Sequence, residues 1–436
     1  MTTHTTVSTN VPSANPSVLK RYGVWWLFAL VLLAAPVVFD SSLSRTLLSQ
    51  MGIAIIVCLS YNMLLGQGGM LSFGHAVYSG MGGFLAIHTL NLVSNGEWLL
   101  PVSLIPIAGG IGAGVVAVVL GWVTTKKAAT PFAMITLGVG ELVWAMSLMF
   151  PEFFGGEGGI SGDRVTGATP FGITYGPQIQ LYYLIAAYTF VCTALMYAFT
   201  CTPLGRMLNA TRDNPERVEF VGFDTQMVRF IAFVFAGFFA GVAGGLSALN
   251  FEIVTSEVVG LQRSGAYLLF TFLGGATVFF GPILGAILMV LALVLFSEFT
   301  NAWLLYLGLI FVFMVMYAPG GFAAILLHNV RVWRCGLMGR LVQPYALLVV
   351  TSVPGFVGAT VLVEMLYHRQ LNAGLDPVLS MYAMQWDTTS ALTWVQVLLL
   401  FVVGLALFEW GRRRFARAWS QVQVLIQHST ATGGTL

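Results

Sequence analysis

Residues 227–249 read MVRFIAFVFAGFFAGVAGGLSAL. Only Arg229 is charged, and the run is near the length that crosses a bilayer. Its glycines Gly237, Gly241 and Gly245 recur every four residues. That is a helical repeat, whereas a strand alternates every second residue. In lipid, a face of small residues lets two helices approach closely. Gly110 and Gly114 repeat the spacing within 99–123, and plain bundle packing accounts for both.

The rest of the chain agrees with this stretch. Of 436 residues, 57% are hydrophobic and 8% charged, with mean hydropathy +0.85. A soluble domain carries about 25% charged residues, so 17 acidic and 19 basic side chains are too few for a water-facing surface. Apolar runs recur at 23–39, 47–65, 71–93, 99–123, 131–150, 180–201, 227–249, 266–280, 282–299, 302–318, 343–366 and 392–410. In a bilayer the backbone must satisfy its own hydrogen bonds, as helices or as a closed barrel, and these runs lack strict alternation. The expected class is an all-α polytopic membrane protein. It has about 10 core transmembrane helices and about 2 extra C-terminal ones, some of them broken or re-entrant. Lys20 and Arg21 precede 23–39 as in a signal peptide, but the run reads as a first span because many others follow. Residues 1–22 are expected to be a disordered cytoplasmic N-terminus, since 1–19 are rich in Ser, Thr, Asn and Pro. Cys58, Cys192, Cys201 and Cys335 are scattered without a C-x-x-C pair and read as packing residues.

Positive charge orders the crossings, because Lys and Arg collect in cytoplasmic loops. The clusters are Lys20-Arg21, Lys126-Lys127, Arg206 to Arg229, Arg331 to Arg340 and Arg412 to Arg417. One pattern fits them all if both termini are cytoplasmic and 266–299 crosses twice or re-enters. Run 266–280 is short for a span and suits a half-helix. Arg45, Arg164, Arg263 and Arg369 then fall outside as isolated exceptions.

Several chemistries lack their motifs. There is no G-x-x-x-x-G-K-[ST] phosphate loop, no H-E-x-x-H, no G-x-S-x-G and no metal-ligand pairing. No catalytic residue and no metal site is expected. A membrane bundle without chemistry of its own reads as a pathway for a solute.

The cytoplasmic segment 203–226, PLGRMLNATRDNPERVEFVGFDTQ, concentrates charge: Arg206, Arg212, Asp213, Glu216, Arg217, Glu219 and Asp224. Leu204, Met207, Leu208, Val218 and Val221 lie between them, which suits short amphipathic helices broken at Asn214-Pro215. The segment resembles the coupling loop of permeases in the branched-chain amino acid ABC transporter family. That loop runs S-P-x-G-R, then R-D/E-N/D, then a Glu three residues before a Gly. Here the matching residues are Thr202-Pro203-Leu204-Gly205-Arg206, Arg212-Asp213-Asn214, Glu219 and Gly222. The family's Ala-Ala is Arg217-Val218 here, and an acidic position is Pro215. LGQGGMLSFGHAVYSGMGGF (65–84), PFAMITLGVGEL (131–142), GGEGGISG (155–162), LGGATVFFGPILGA (273–286) and APGGF (318–322) resemble further family segments in order. The early S-F-G-H-A is similar to the M-type subunit of the two permease types.

The resemblance implies a transmembrane permease domain over 23–325. Residues 326–436 form a C-terminal extension with two further apolar spans and a basic cytoplasmic tail. It implies two ABC ATPase subunits at the cytoplasmic face, engaged through Gly205, Arg206, Arg212, Asp213, Glu219 and Gly222. It also implies a second, different permease subunit and an extracytoplasmic solute-binding protein that delivers branched-chain or related hydrophobic amino acids. The place is the bacterial inner membrane, with lipid as solvent, no nucleic acid partner, and no cofactor bound by this chain because ATP is used by its partners. Urea and short-amide permeases are close relatives, so that substrate class is the alternative.

Candidate pathway or gating residues are Gln67, Gly68, Gly69, Ser72, Gly74, His75, Thr136 and Glu141. Glycines around 66–74 let a helix stop in the bilayer, and freed N–H groups could meet a carboxylate. The same glycines also suit a tight turn with packing roles, and His75 also suits a bond to backbone. Glu141 lies inside run 131–150, where a charge costs at least about 2.5 kcal/mol on insertion scales. It faces the pathway or pairs with a polar residue of another helix. The rival from another class is an ion-coupled secondary transporter, for which Glu141 is the one well-placed acid; a membrane scaffold or enzyme is a third.

Overall fold

The computed structural model describes residues 18–165, 174–300, 302–318, 320–371, 378–382 and 384–431. The expectation for residues 1–17 and the tip of the loop at 166–173 lie outside them. Helices dominate: α1 (Val18–Val38), α2 (Ser42–Asn62), α3 (His75–Ser94), α4 (Ile105–Thr124), α5 (Ala129–Met149) and the single turn α6 (Pro151–Phe154). Next come α7 (Gln178–Cys201), α8 (Pro203–Asp213), α9 (Pro215–Phe220) and α10 (Thr225–Phe251). The chain continues through α11 (Leu261–Gly274), α12 (Gly281–Leu291), the short α13 (Ser297–Phe299), α14 (Trp303–Tyr317), α15 (Gly321–Arg334), α16 (Met338–Leu371) and α17 (Ala391–Ala431). Among the described residues, 8 helices are long and apolar enough to cross a membrane, or up to 9 if a bent pair counts as one span. Gly23–Val38 and Gly281–Phe296 are apolar but shorter. The protein is an all-α polytopic membrane protein.

Contacts divide the chain into two compact units. The first comprises the residues up to Ser60 together with Phe73–Arg263. Its centre is α10 packed on α3 and α4, and the glycine repeat explains why. A Cβ on Gly237 would lie 2.5 Å from Ala117 Cβ, and one on Gly245 would lie 2.8 Å from Pro106 Cα. Gly241 closes on Ala113 and Gly109 of α4, so α4 and α10 pair antiparallel at glycine-limited distance. On α3, Gly82 meets the backbone of Gly241, and Gly244 meets the carbonyl of Ser79. α1 lies against α7, where the Tyr182 hydroxyl donates to the Leu32 carbonyl at 2.7 Å.

A two-residue strand β1 (Ile160–Ser161) pairs antiparallel with β2 (Ile253–Val254), which joins the glycine-rich loop to the end of α10. The Arg164 guanidinium donates to four carbonyls there: Tyr175 at 3.0 Å, Leu249 at 3.1 Å, and Asn250 and Gly176 at 3.3 Å each. The Arg164 backbone N–H donates to Glu252 Oε1 at 3.1 Å, and the side chains form an ion pair at 3.8 Å.

The second unit comprises Tyr61–Ser72 and the chain from Ser264 onward. α11 starts before the apolar run 266–280 and stops within it, at Gly274, because Gly275 has φ +114°. A Cβ on Gly274 would lie 2.5 Å from the Gly281 carbonyl and 2.6 Å from Gly285 N, so the glycines of LGGATVFFGPILGA form a close crossing of α11 and α12. Gly66 fits against the Ala276 carbonyl, so two of the motif stretches meet in this unit.

The two extra apolar runs become α16 and α17, joined by the hairpin β3 (Val378–Met381) and β4 (Met384–Asp387). They pair antiparallel. A Cβ on Gly358 would lie 2.7 Å from Phe401 N, and Gly404 closes on Gly355. Glu364 of α16 accepts from the Thr300 hydroxyl and from the Tyr306 hydroxyl at 3.2 Å, which fastens α16 to α14.

Candidate functional site

The charged segment 203–226 folds as two capped helices, with the break where the Asn-Pro pair put it. Thr202 caps α8 by accepting from Gly205 N at 3.2 Å, and Pro203 opens the first turn without a wasted N–H. Asn214 caps α9 by accepting from Arg217 N at 3.1 Å. Asp224 caps α10 by accepting from Gln226 N at 2.8 Å and Met227 N at 3.3 Å. Gly205 is buried, and a Cβ there would lie 2.8 Å from Thr200 Cα. Gly222 has φ +92°, so it makes the turn that a side chain resists.

The segment is fixed to the bundle from beneath. Leu208 and Val218 are buried, and the Thr225 hydroxyl donates to Glu219 Oε1 at 2.9 Å. Buried Arg229 has Asp224 and Glu219 as charged neighbours. Arg206, Arg212, Asp213 and Glu219 are exposed, and Arg212 pairs with its neighbour Asp213 at 3.0 Å. Phe220 is 89% exposed and Val221 71%, an apolar tip among charges. The sequence places Val221 among the apolar residues of amphipathic helices, whereas it is exposed, and sequence reasoning missed Phe220. The available signal was two adjacent apolar residues at the end of a six-residue helix, Phe220 its last and Val221 its C-cap, whose inward position Val218 already fills.

The remaining candidates separate. In the first unit, His75 Nε2 and Ser60 Oγ are hydrogen-bonded at 2.9 Å, and Thr136 Oγ1 accepts from Phe73 N at 3.2 Å. Gly74 fits against the Thr136 carbonyl. His75, Gly74 and Thr136 thus form one buried polar knot. In the second unit, α2 runs on into a single π-turn, Met63–Gln67. Gly68 N and Gly69 N donate to the carbonyls of Leu64 and Leu65 at 3.1 and 3.0 Å, so these amides close the turn. Gly69 is exposed with φ +63°, Gln67 is half-buried, and Ser72 is buried with its carbonyl accepting from the Tyr61 hydroxyl at 2.9 Å. Glu141 stands apart, exposed on α5, with no hydrogen bond or ion pair among the described residues.

A family model described as "Branched-chain amino acid transport system / permease component" matches residues 44–319. The chain belongs to this family. It is 29% identical over 337 residues to the "High-affinity branched-chain amino acid transport system permease protein LivM" of Escherichia coli (strain K12), covering 71% of this chain and 77% of that protein. The protein of the same name from Salmonella typhimurium is 28% identical over the same shares. No solved structure matches the chain.

The family match covers the charged segment 203–226, the buried knot and the α11–α12 crossing. It stops at 319, before α15, α16 and α17. The C-terminal segment 320–436 lies beyond the matched residues. Its Glu364 reaches back to Thr300 and Tyr306, which lie inside the match.

Proposed function

We propose that this chain is the membrane-path subunit of an ABC importer for branched-chain or related hydrophobic amino acids, moved by separate ATPase subunits. It sits in the bacterial inner membrane with both termini cytoplasmic. It pairs with a second, different permease and receives solute from an extracytoplasmic binding protein. It binds no cofactor, since ATP is hydrolysed by its partners. The observation that carries this reading is the exposed apolar tip Phe220–Val221, held on capped helices and tied by Glu219 to the first turn of α10. A motor changes conformational populations only through contacts that differ between states. A rigid knuckle joined to the central helix supplies such a contact.

The test is the double variant Phe220→Asp with Val221→Asp. Apolar anchors at an interface centre are worth at least about 2 kcal/mol, so ATP-driven leucine uptake should fall by about thirtyfold or more. Co-purification with the ATPases should fall with it. The chain should still fold, because both side chains stand free of the bundle. Uphill uptake by the isolated chain in nucleotide-free vesicles would overturn the reading in favour of an ion-coupled transporter.

A further inference from the structure

α5 presents a face on which a carboxylate stands in apolar surroundings. Glu141 lies twelve residues after Ala129 and eight before Met149, so it is about 18 Å and 12 Å from the two helix ends, deep in the span. It is exposed, and no described residue bonds to it. Around it on the same face are Met134, 65% exposed, Leu142, 57% exposed, and Gly138, where a Cβ would meet nothing within 4 Å. Residues 134, 138, 141, 142 and 145 recur at helical spacing and are all exposed. The opposite side of α5 is the packing side, with Phe132, Thr136 and Gly140 buried.

A carboxylate at that depth needs a counter-charge or water. Among the described residues of this unit's long helices, no Lys or Arg lies at that depth. In α2, α3, α4, α5, α7 and α10 the Lys and Arg residues are Arg45 and Arg229, each within five residues of a helix start. The two histidines of α3 are hydrogen-bonded elsewhere, His75 to Ser60 and His88 to the Phe153 carbonyl. A solute that carries an ammonium brings the missing charge with it. Gly138 leaves open space beside the carboxylate, with the exposed apolar side chains of Met134 and Leu142 one turn to either side of it. Charge next to exposed apolar side chains matches an α-amino acid with an aliphatic side chain.

Building on the importer reading, we propose that Glu141 is the ammonium subsite of the solute path. The carboxylate accepts hydrogen bonds from the α-ammonium, and the aliphatic side chain lies over Gly138. Contact is transient and no covalent step is involved. A weak site suffices, because a path must release what it binds.

The experiment uses the whole complex with binding protein in proteoliposomes, with labelled leucine as probe. Glu141→Gln keeps size and removes charge. Leucine moved per ATP hydrolysed should fall by about tenfold or more, the loss expected for a charge-assisted hydrogen bond. Glu141→Asp should recover part of it. Gly138→Leu, whose side chain enters open space, should give the same loss with Glu141 intact. Transport by Glu141→Gln within about twofold of the parent overturns the proposal. Loss of the second permease on purification of Glu141→Gln also overturns it, because the carboxylate is then a subunit contact. A parent complex without ATP-driven leucine uptake overturns the importer reading, and this subsite with it.

Discussion

Gly244→Val is expected to leave almost no folded protein to purify. The first side-chain atom would run into the Ser79 carbonyl, 2.7 Å from its carbon and 2.9 Å from Gly83 N. These are backbone atoms of a buried helix and have no rotamer to change. Overpacking costs about 1–3 kcal/mol when side chains can yield, so a backbone collision belongs at or above the top of that range. Native stability is only about 5–15 kcal/mol. Thermal unfolding and size exclusion in detergent measure the result. Gly114→Ala is the matched control: its Cβ would lie 3.8 Å from Phe238 Cβ, an ordinary contact, and alanine is the better helix former by about 1 kcal/mol. That variant should melt with the parent or slightly above it. A Gly244→Val protein that melts like the parent would mean that α3 and α10 do not meet as described.

The same helices show what a sequence discloses. The four-residue spacing of Gly237, Gly241 and Gly245 announced a packing face, and all three glycines do meet α4. Gly244 lies off that series, yet it makes one of the tightest approaches, to α3. Periodicity identifies a face but not the neighbour, because the neighbour is set by folding of distant chain. Local signals read well for the same reason. Asn214-Pro215 marked the break between α8 and α9, and the residues that cap the helices are of types that favour caps. Hydropathy was blunter. Run 71–93 begins as a turn, and its helix starts only at His75, because Gly74 must fit under Thr136. The hairpin between α16 and α17 gave no apolar run and went unseen. At the candidate site, charge marked the segment 203–226, but exposure of Phe220 is a property of the folded surface.

Arg164 illustrates that gap and yields the last expectation. Charge counting left it as an isolated exception, whereas in the fold it ties the glycine-rich loop to residues more than eighty positions away. Arg164→Ala removes four side-chain hydrogen bonds to carbonyls and an ion pair. Glu252 is 37% exposed and the charges are 3.8 Å apart, so solvent screens that pair and the carbonyl bonds carry most of the effect. Bonds from a charged donor are worth about 1.5–3 kcal/mol, and the freed carbonyls can turn to water, so a local loss of about 3 kcal/mol is expected. Amide exchange at 160–162 and 252–254 should then rise by about a hundredfold, with a smaller shift in global melting. Arg164→Lys keeps the charge but lacks the planar fork that reaches several carbonyls at once, so it should recover less than half. Raising salt should change little, which separates carbonyl bonding from ion pairing. The consequence extends to function, because α10 is about 40 Å long and carries this clasp at one end and the Glu219–Thr225 joint at the other. A loosened clasp should therefore lower coupling as well as local stability. Unchanged exchange in Arg164→Ala would show that the β1–β2 pair alone holds the loop to the end of α10.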